Sequence, residues 1–278
     1  MKTFTLLFLT TLIYVVNIDA NSSSFVKDLA HFSTGEIYAD NLSGLQMFVG
    51  TSWKNPEIAV RLSLKIDAII QRHNKIKANY QAKLLEKGNS LSEKQKATIA
   101  YNIKDLDSRI SELITSKSDI VRLGNDKEHL YELDGEGRES GSQYIMKGKD
   151  KHVRIQGSCE AQIIHEIRHI SLSLQSKNGL RFSRNNLLIP ISPDGIMDEI
   201  QGYRAQFSFK SNSLPGIYPK YIEQVNLKYI SEIQKTDGSY AYPNFRNKID
   251  EYESIAKSKK KIDMDSIISS NVFIVSKQ

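Results

Sequence analysis

Two runs of apolar side chains, each spaced in alternating steps of four and three, constrain this chain more than any other feature. Leu62, Ile66, Ile69, His73, Ile76 and Tyr80 make the first, and Ile99, Ile103, Leu106, Ile110 and Leu113 the second. That spacing keeps side chains on one stripe of a helix, and such a stripe buries itself against another. Asn55 and Pro56 suit the N-cap and first helical position of the first helix. Gly88-Asn89-Ser90 breaks it, and Ser92 with Gln95 supplies a capping box for the second. Matching seams across so short a turn predict an antiparallel helical hairpin over residues 57–124. His73 lies in the first seam and is expected to be a buried structural histidine. The exposed faces of the hairpin carry lysine, glutamate and asparagine without clustered metal donors, so a scaffold or cleft wall is the role expected of it.

The 278 residues suit one domain, or one domain with an appendage, and suffice for a sizeable core. Lys2, the apolar run 4–16 and the small-residue segment ending at Ala20 follow the order of a secretory signal, with cleavage expected after Ala20. The run has thirteen residues, three of them threonine, against the roughly 20 apolar residues of a membrane span. The mature chain is thus expected to be secreted or periplasmic, without stable membrane insertion. Cys159 is the sole cysteine, so packing or a metal must supply what disulfides give other exported proteins. The formal charge is +6, and only "KSKKK" at 257–261 is dense. A run of that kind is a solvated face, and no nucleic-acid partner is expected.

Residues 21–56 read as an irregular lead-in with one strand near "GEIYAD". After Gly124 the apolar period changes to two. "HLYEL", "QYIM" and "HVRIQ" are expected strands, separated by the glycine-rich "DGEGRESGS" and by "KGKD". In "HVRIQ", Val153 and Ile155 face one way and His152, Arg154 and Gln156 the other, as in a half-buried strand. The expected fold is α+β. A small mixed sheet lies within residues 125–278, preceded by the hairpin and followed by a mostly helical part with helices at about 218–234 and 243–257.

The segment "IIHEIRHISL" (163–172) carries the chemistry. Ser158 is placed to cap a helix from about Cys159 to Gln175, with Glu160 favourable in its first turn. Ile163, Ile167, Ile170 and Leu174 gather on one stripe, and His165 and His169 lie about 40° apart on the opposite side. Two neutral imidazoles one turn apart meet a single ion without bending the backbone. Glu166, about 100° round from His165, is too far round to be a ligand. It reaches a water at the metal from the side, the place for a general base.

"HEIRH" after "HVRIQ" resembles the active-site helix of the zincin metallopeptidases, in which an HExxH helix follows the edge strand of a small sheet. The metzincin branch continues to a third histidine, whereas this chain reads "HISLSLQSKNG" and has no histidine beyond His169. The resemblance is therefore to the gluzincins, whose third ligand is a glutamate on a later helix. "SPDGIMDEIQGYRAQF", opened by Ser192 and Pro193, is the matching segment, and its "ExxxYRAQ" is similar to that helix in several gluzincins. Ile196, Glu199, Tyr203, Gln206 and Phe207 share one face there, with Gly202 nearby permitting close approach of another helix. A carboxylate on so apolar a face calls for a partner. Glu199 is the first candidate ligand and Asp198 the second.

The resemblance covers about residues 143–210 and is specific at "HEIRH" and "DEIQGYRAQ". It implies Zn²⁺ held by His165, His169 and Glu199, with Glu166 as general base in hydrolysis of a peptide or protein substrate. An oxyanion donor is also required, for which Tyr203 or a tyrosine from the C-terminal region is a candidate. The rival reading is an exported non-enzymatic zinc-binding or surface interaction protein on the same scaffold. A thiol hydrolase built on Cys159 is disfavoured, because that side chain projects about 120° from His165.

Overall fold

Helices α1 (Pro56–Lys87) and α2 (Glu93–Gly124) form the hairpin, joined by a 3-10 turn at Gly88–Ser90. The capping box is made in both directions: Gln95 N–H donates to Ser92 Oγ (3.3 Å) and Ser92 N–H to Gln95 Oε1 (2.9 Å). The computed structural model describes residues 49–135, 141–147, 150–191, 195–216, 218–246 and 248–249. The expected signal, its cleavage point and the strand near "GEIYAD" lie outside them.

The two seams bury unevenly. Leu62 and Ile66 of α1 and Leu113, Ile120 and Leu123 of α2 are fully buried, whereas Ile76 is 37% exposed. His73, expected to be buried, is half-buried, and neither ring nitrogen has a hydrogen-bond partner. Desolvation, followed by the charge of Arg109, lowers its pKa and keeps it neutral. The half of the hairpin nearest the sheet belongs to the core. In the other half, Ile99 and Leu106 are the buried apolar side chains among the described residues.

Strands β1 (Leu130–Asp134), β2 (Gly141–Lys147) and β3 (Asp150–Gln156) form a mixed sheet in the order β1-β3-β2. β3 runs parallel to β1, with Val153 opposite Tyr131, and antiparallel to β2, with Ile155 opposite Ser142. The strand that leads into the histidine helix is thus central, a correction to the edge position that the resemblance implies. Both of its backbone edges are paired, so β2 is left at one rim. At the other rim residues 52–55 cover β1. Tyr131 N–H donates to Ser52 O (2.8 Å), and Lys54 N–H to Tyr131 O (2.8 Å). The Asn55 amide brackets Leu133, accepting from its N–H (3.0 Å) and donating to its carbonyl (2.7 Å). Asn55 therefore precedes α1 without its side chain capping it, because that amide satisfies a strand edge instead. His152, expected on the open face of β3, is also buried, with Nε2 3.0 Å from Glu132 Oε2.

Helix α3 (Glu160–Gln175) starts one residue later than expected, after an extended Cys159. Ser158 does not cap it; its N–H and hydroxyl both donate to Gln162 Oε1 (2.8 and 2.7 Å). Ten of the sixteen residues of α3 are buried, Ile164 and Arg168 among them. A single apolar stripe understates this helix, since the sheet, α2 and helix α4 (Ile196–Phe209) all pack on it. Ser192 and Pro193, expected to open α4, lie outside the described residues; Gly195, with φ of 73°, immediately precedes it.

Residues 218–234 do not form the single helix expected. A 3-10 turn at Ile222–Gln224 and a short helix α5 (Leu227–Ser231) occupy that stretch, and Gln234 then bridges to Tyr240. Tertiary contacts override the local periodicity. Asp105 of α2 accepts from Ile222 N–H (2.7 Å), Arg109 donates to Lys220 O (3.1 Å), and Asn226 Oδ1 caps α5 at Tyr229 N–H (3.2 Å). Residues 243–246 and 248–249 are helical, and the remainder of the expected 243–257 helix is not described. The fold is α+β, rich in helix around one small mixed sheet. No described helix is long and apolar enough to cross a membrane.

Candidate metal centre

The 3.6-residue repeat places His165 and His169 on one face of α3, and α4 brings Glu199 against them. Their approach depends on Gly202. A Cβ there would sit 2.7 Å from His165 Nε2 and 2.9 Å from its two neighbouring ring carbons. A hydrogen side chain lets the two helices meet at the imidazole.

His165 Nε2 and His169 Nε2 are 2.8 Å apart; Glu199 Oε2 lies 3.4 Å from the first and Glu199 Oε1 3.8 Å from the second. Four donors arranged tetrahedrally at zinc bond lengths are separated by about 3.3 Å. The three observed spacings straddle that value, and nitrogen, nitrogen and carboxylate oxygen are donors that zinc accepts. The residues present fit such an ion. Asp198, the second candidate, turns away: its Oδ2 accepts from Ile191 N–H at 2.5 Å.

Gln206 orients His165, the first candidate ligand. Its Oε1 is 3.2 Å from His165 Nδ1 while its Nε2 donates to Ser213 O at 2.9 Å. The proton of His165 then sits on Nδ1, and the Nε2 lone pair faces the cluster. Sequence reasoning placed Gln206 on the face of Glu199 without giving it a role; its position two turns beyond Glu199 was the available signal.

Arg168 anchors the helix from behind. Its Nε donates to Asp119 Oδ2 (2.6 Å), its Nη1 to Glu112 Oε2 (3.0 Å) and its Nη2 to Ser116 Oγ (3.2 Å). Asp119 also accepts from Ser171 Oγ (2.6 Å) and Arg122 Nη1 (2.9 Å). A middle residue of "HEIRH" therefore ties the helix that carries His165 and His169 to α2, a role that sequence reasoning missed.

Tyr203 packs its ring edge-on against His165, with centroids 4.5 Å apart. Its hydroxyl is 3.1 Å from that of Tyr242, which in turn donates to Glu199 Oε2 at 2.8 Å. Tyr242 is the C-terminal tyrosine that the sequence left unnamed. No local pattern marks it, because the chain returns to the site only through tertiary folding.

Electrostatics separate the two glutamates. Burial pushes the Glu166 carboxyl up to about 7, with the charge of His165 opposing and that of Glu199 adding. Burial also penalises Glu199, but the hydrogen bond and charge of His165, the charge of His169 and the Tyr242 hydroxyl hold it at about 2. His169 is lowered to about 4 by burial and then by its neighbour His165. For His165 the hydrogen bond and charge of Glu199 outweigh burial, and its pKa is raised. One carboxyl is thus a permanent anion and the other is poised near neutrality.

Ser142 of β2 donates to Glu166 Oε2 at 3.3 Å. Both line a cleft of about 290 Å³ together with His165, His169, Glu199 and Tyr242, and Leu187, Leu188 and Pro190 supply its apolar wall. No protein-family model, curated protein or solved structure matches this chain, so its functional reading rests on this donor set and the groups around it.

Proposed function

We propose that this protein is a secreted or periplasmic zinc-dependent metallopeptidase of gluzincin type, hydrolysing peptide bonds in a peptide or protein substrate. The observation that carries the reading is the convergence of His165, His169 and Glu199 in an open cleft that also contains the buried carboxyl of Glu166. A structural zinc site closes with a fourth protein ligand. Among the described residues three donors converge, which favours an enzyme over the non-enzymatic zinc-binding alternative.

A zinc ion held there supplies a Lewis acid that polarises the scissile carbonyl and acidifies water. Glu166 accepts the proton of the attacking water on its carboxylate and delivers it to the leaving amine. Its raised pKa suits both halves of that transfer. The base works only when deprotonated, so kcat/KM should climb as pH rises and level off at or below about 7, because a bound cation draws the carboxyl down. Glu166→Asp should keep an acid limb, whereas an acid limb left unchanged in the residual activity of Glu166→Gln would remove Glu166 from the role. Tyr203 and Tyr242 are the two candidates for the oxyanion donor: their hydroxyls lie 3.1 Å apart, and that of Tyr242 donates to Glu199 Oε2.

Metal analysis of the purified protein, paired with chelator-sensitive cleavage of a generic protein substrate, tests the whole reading. About one zinc per chain is expected, with cleavage lost to chelator and restored by zinc. Zinc-loaded protein that cleaves nothing would favour the interaction protein. Two variants probe the site's construction. Tyr242→Phe removes the hydrogen bond that holds Glu199 and should weaken zinc binding about 10-fold in a chelator competition. Gly202→Ala should weaken it at least as much, because the added methyl displaces the ring of His165.

A further inference from the structure

The distal half of the hairpin takes no part in the metal centre, and its chemistry points elsewhere. Among the described residues, none between 72 and 98 belongs to either apolar cluster of the core. The stretch of α1 beyond residue 71 runs for roughly 24 Å. No side chain between 72 and 98 is buried, so this stretch presents its surface to solvent. Residues 72–98 carry seven Lys and Arg against two Glu, a net +5 out of the chain's +6. Lys77 and Lys96 pair with Asp107 and Glu93. Arg72, Lys75, Lys83, Lys87 and Lys94 are exposed, and among the described residues none of them has an acidic partner. Lys83, Lys87 and Lys94 bracket the turn Gly88–Ser90, where Leu85 is 86% exposed and Leu84 and Leu91 are half-buried.

We propose that this tip docks peripherally on an anionic phospholipid surface, with its lysines at the headgroups and Leu85 in the interfacial layer. Lysines near such a surface each add attraction, and an apolar side chain at the same level gains by leaving water. Nucleic acid fits less well. The single arginine, Arg72, lies four helical turns from the tip, and no exposed aromatic ring is present there to stack on a base. Docking uses no residue of the metal centre and stands independently of peptidase activity.

Co-sedimentation of the full chain with vesicles tests it, comparing phosphatidylglycerol–phosphatidylcholine mixtures with phosphatidylcholine alone at low and high salt. Binding to the anionic vesicles is expected, weakening with salt. Lys83→Glu/Lys87→Glu/Lys94→Glu should reduce it roughly 10- to 100-fold, and Leu85→Ser should reduce it several-fold at unchanged helix content. Equal partition onto both vesicle types, unaffected by the triple variant, would assign binding to the apolar run 4–16 and overturn the proposal. Tighter binding to duplex DNA than to anionic vesicles would also overturn it.

Discussion

Glu166→Gln is expected to keep about one zinc per chain while losing hydrolysis by about 10²- to 10⁴-fold. The amide is nearly isosteric but cannot take up a proton, and the side chain is not among the three converging donors. His165→Ala should lose metal and activity together. The same Glu166→Gln change should stabilise chelator-treated protein in alkaline buffer. The Glu166 carboxyl rises from an ordinary 4.5 to about 7 on folding. Below pH 4.5 both folded and unfolded chains hold the proton, so nothing is lost. Between those values the unfolded chain ionises first, and stability falls with pH. Above about 7 the full penalty remains, on the order of 3 kcal/mol. A variant Tm that exceeds wild type at pH 8 and converges with it at pH 4 is the expected pattern. Full activity in Glu166→Gln would remove it from the base role, whatever the metal content.

The second large effect lies behind the site. Arg168→Met or Asp119→Leu should each lower stability by about 3 kcal/mol, because each breaks a buried ion pair and leaves the other partner with only its second, more exposed one, Asp119 with Arg122 or Arg168 with Glu112. Both side chains are almost fully enclosed, 4% and 2% exposed. The double variant should recover much of that loss, since it removes both charges at once. Urea unfolding of the three variants gives the coupling directly. Single-variant costs below about 1 kcal/mol would mean that water reaches the pair and that it behaves as a surface ion pair. Because Arg168 neighbours His169 on α3, the singles should also bind zinc more weakly, while charge changes on the distal hairpin should leave short-peptide cleavage unchanged.

How much could be read in advance depended on the range of each interaction. The hairpin, the Ser92–Gln95 capping box and the shared face of His165 and His169 all follow from spacings of seven residues or fewer. Over that distance the backbone repeat alone decides which side chains are neighbours. The period-two segments likewise marked three strands, but not that β3 would be central, because pairing order is set by contacts across the sheet. The expected 218–234 helix failed for the same reason: Asp105 and Arg109 take backbone groups at 222 and 220 that a continuous helix would have kept. At the candidate metal centre the sequence supplied two imidazoles in one register and a glutamate thirty residues away. Only tertiary packing could bring Glu199 to them across Gly202, bond Gln206 to His165, return Tyr242 to Glu199 and pair Arg168 with Asp119. Spacing along the chain carries no information about partners 30 or more residues distant, whose meeting is decided by which surfaces bury together.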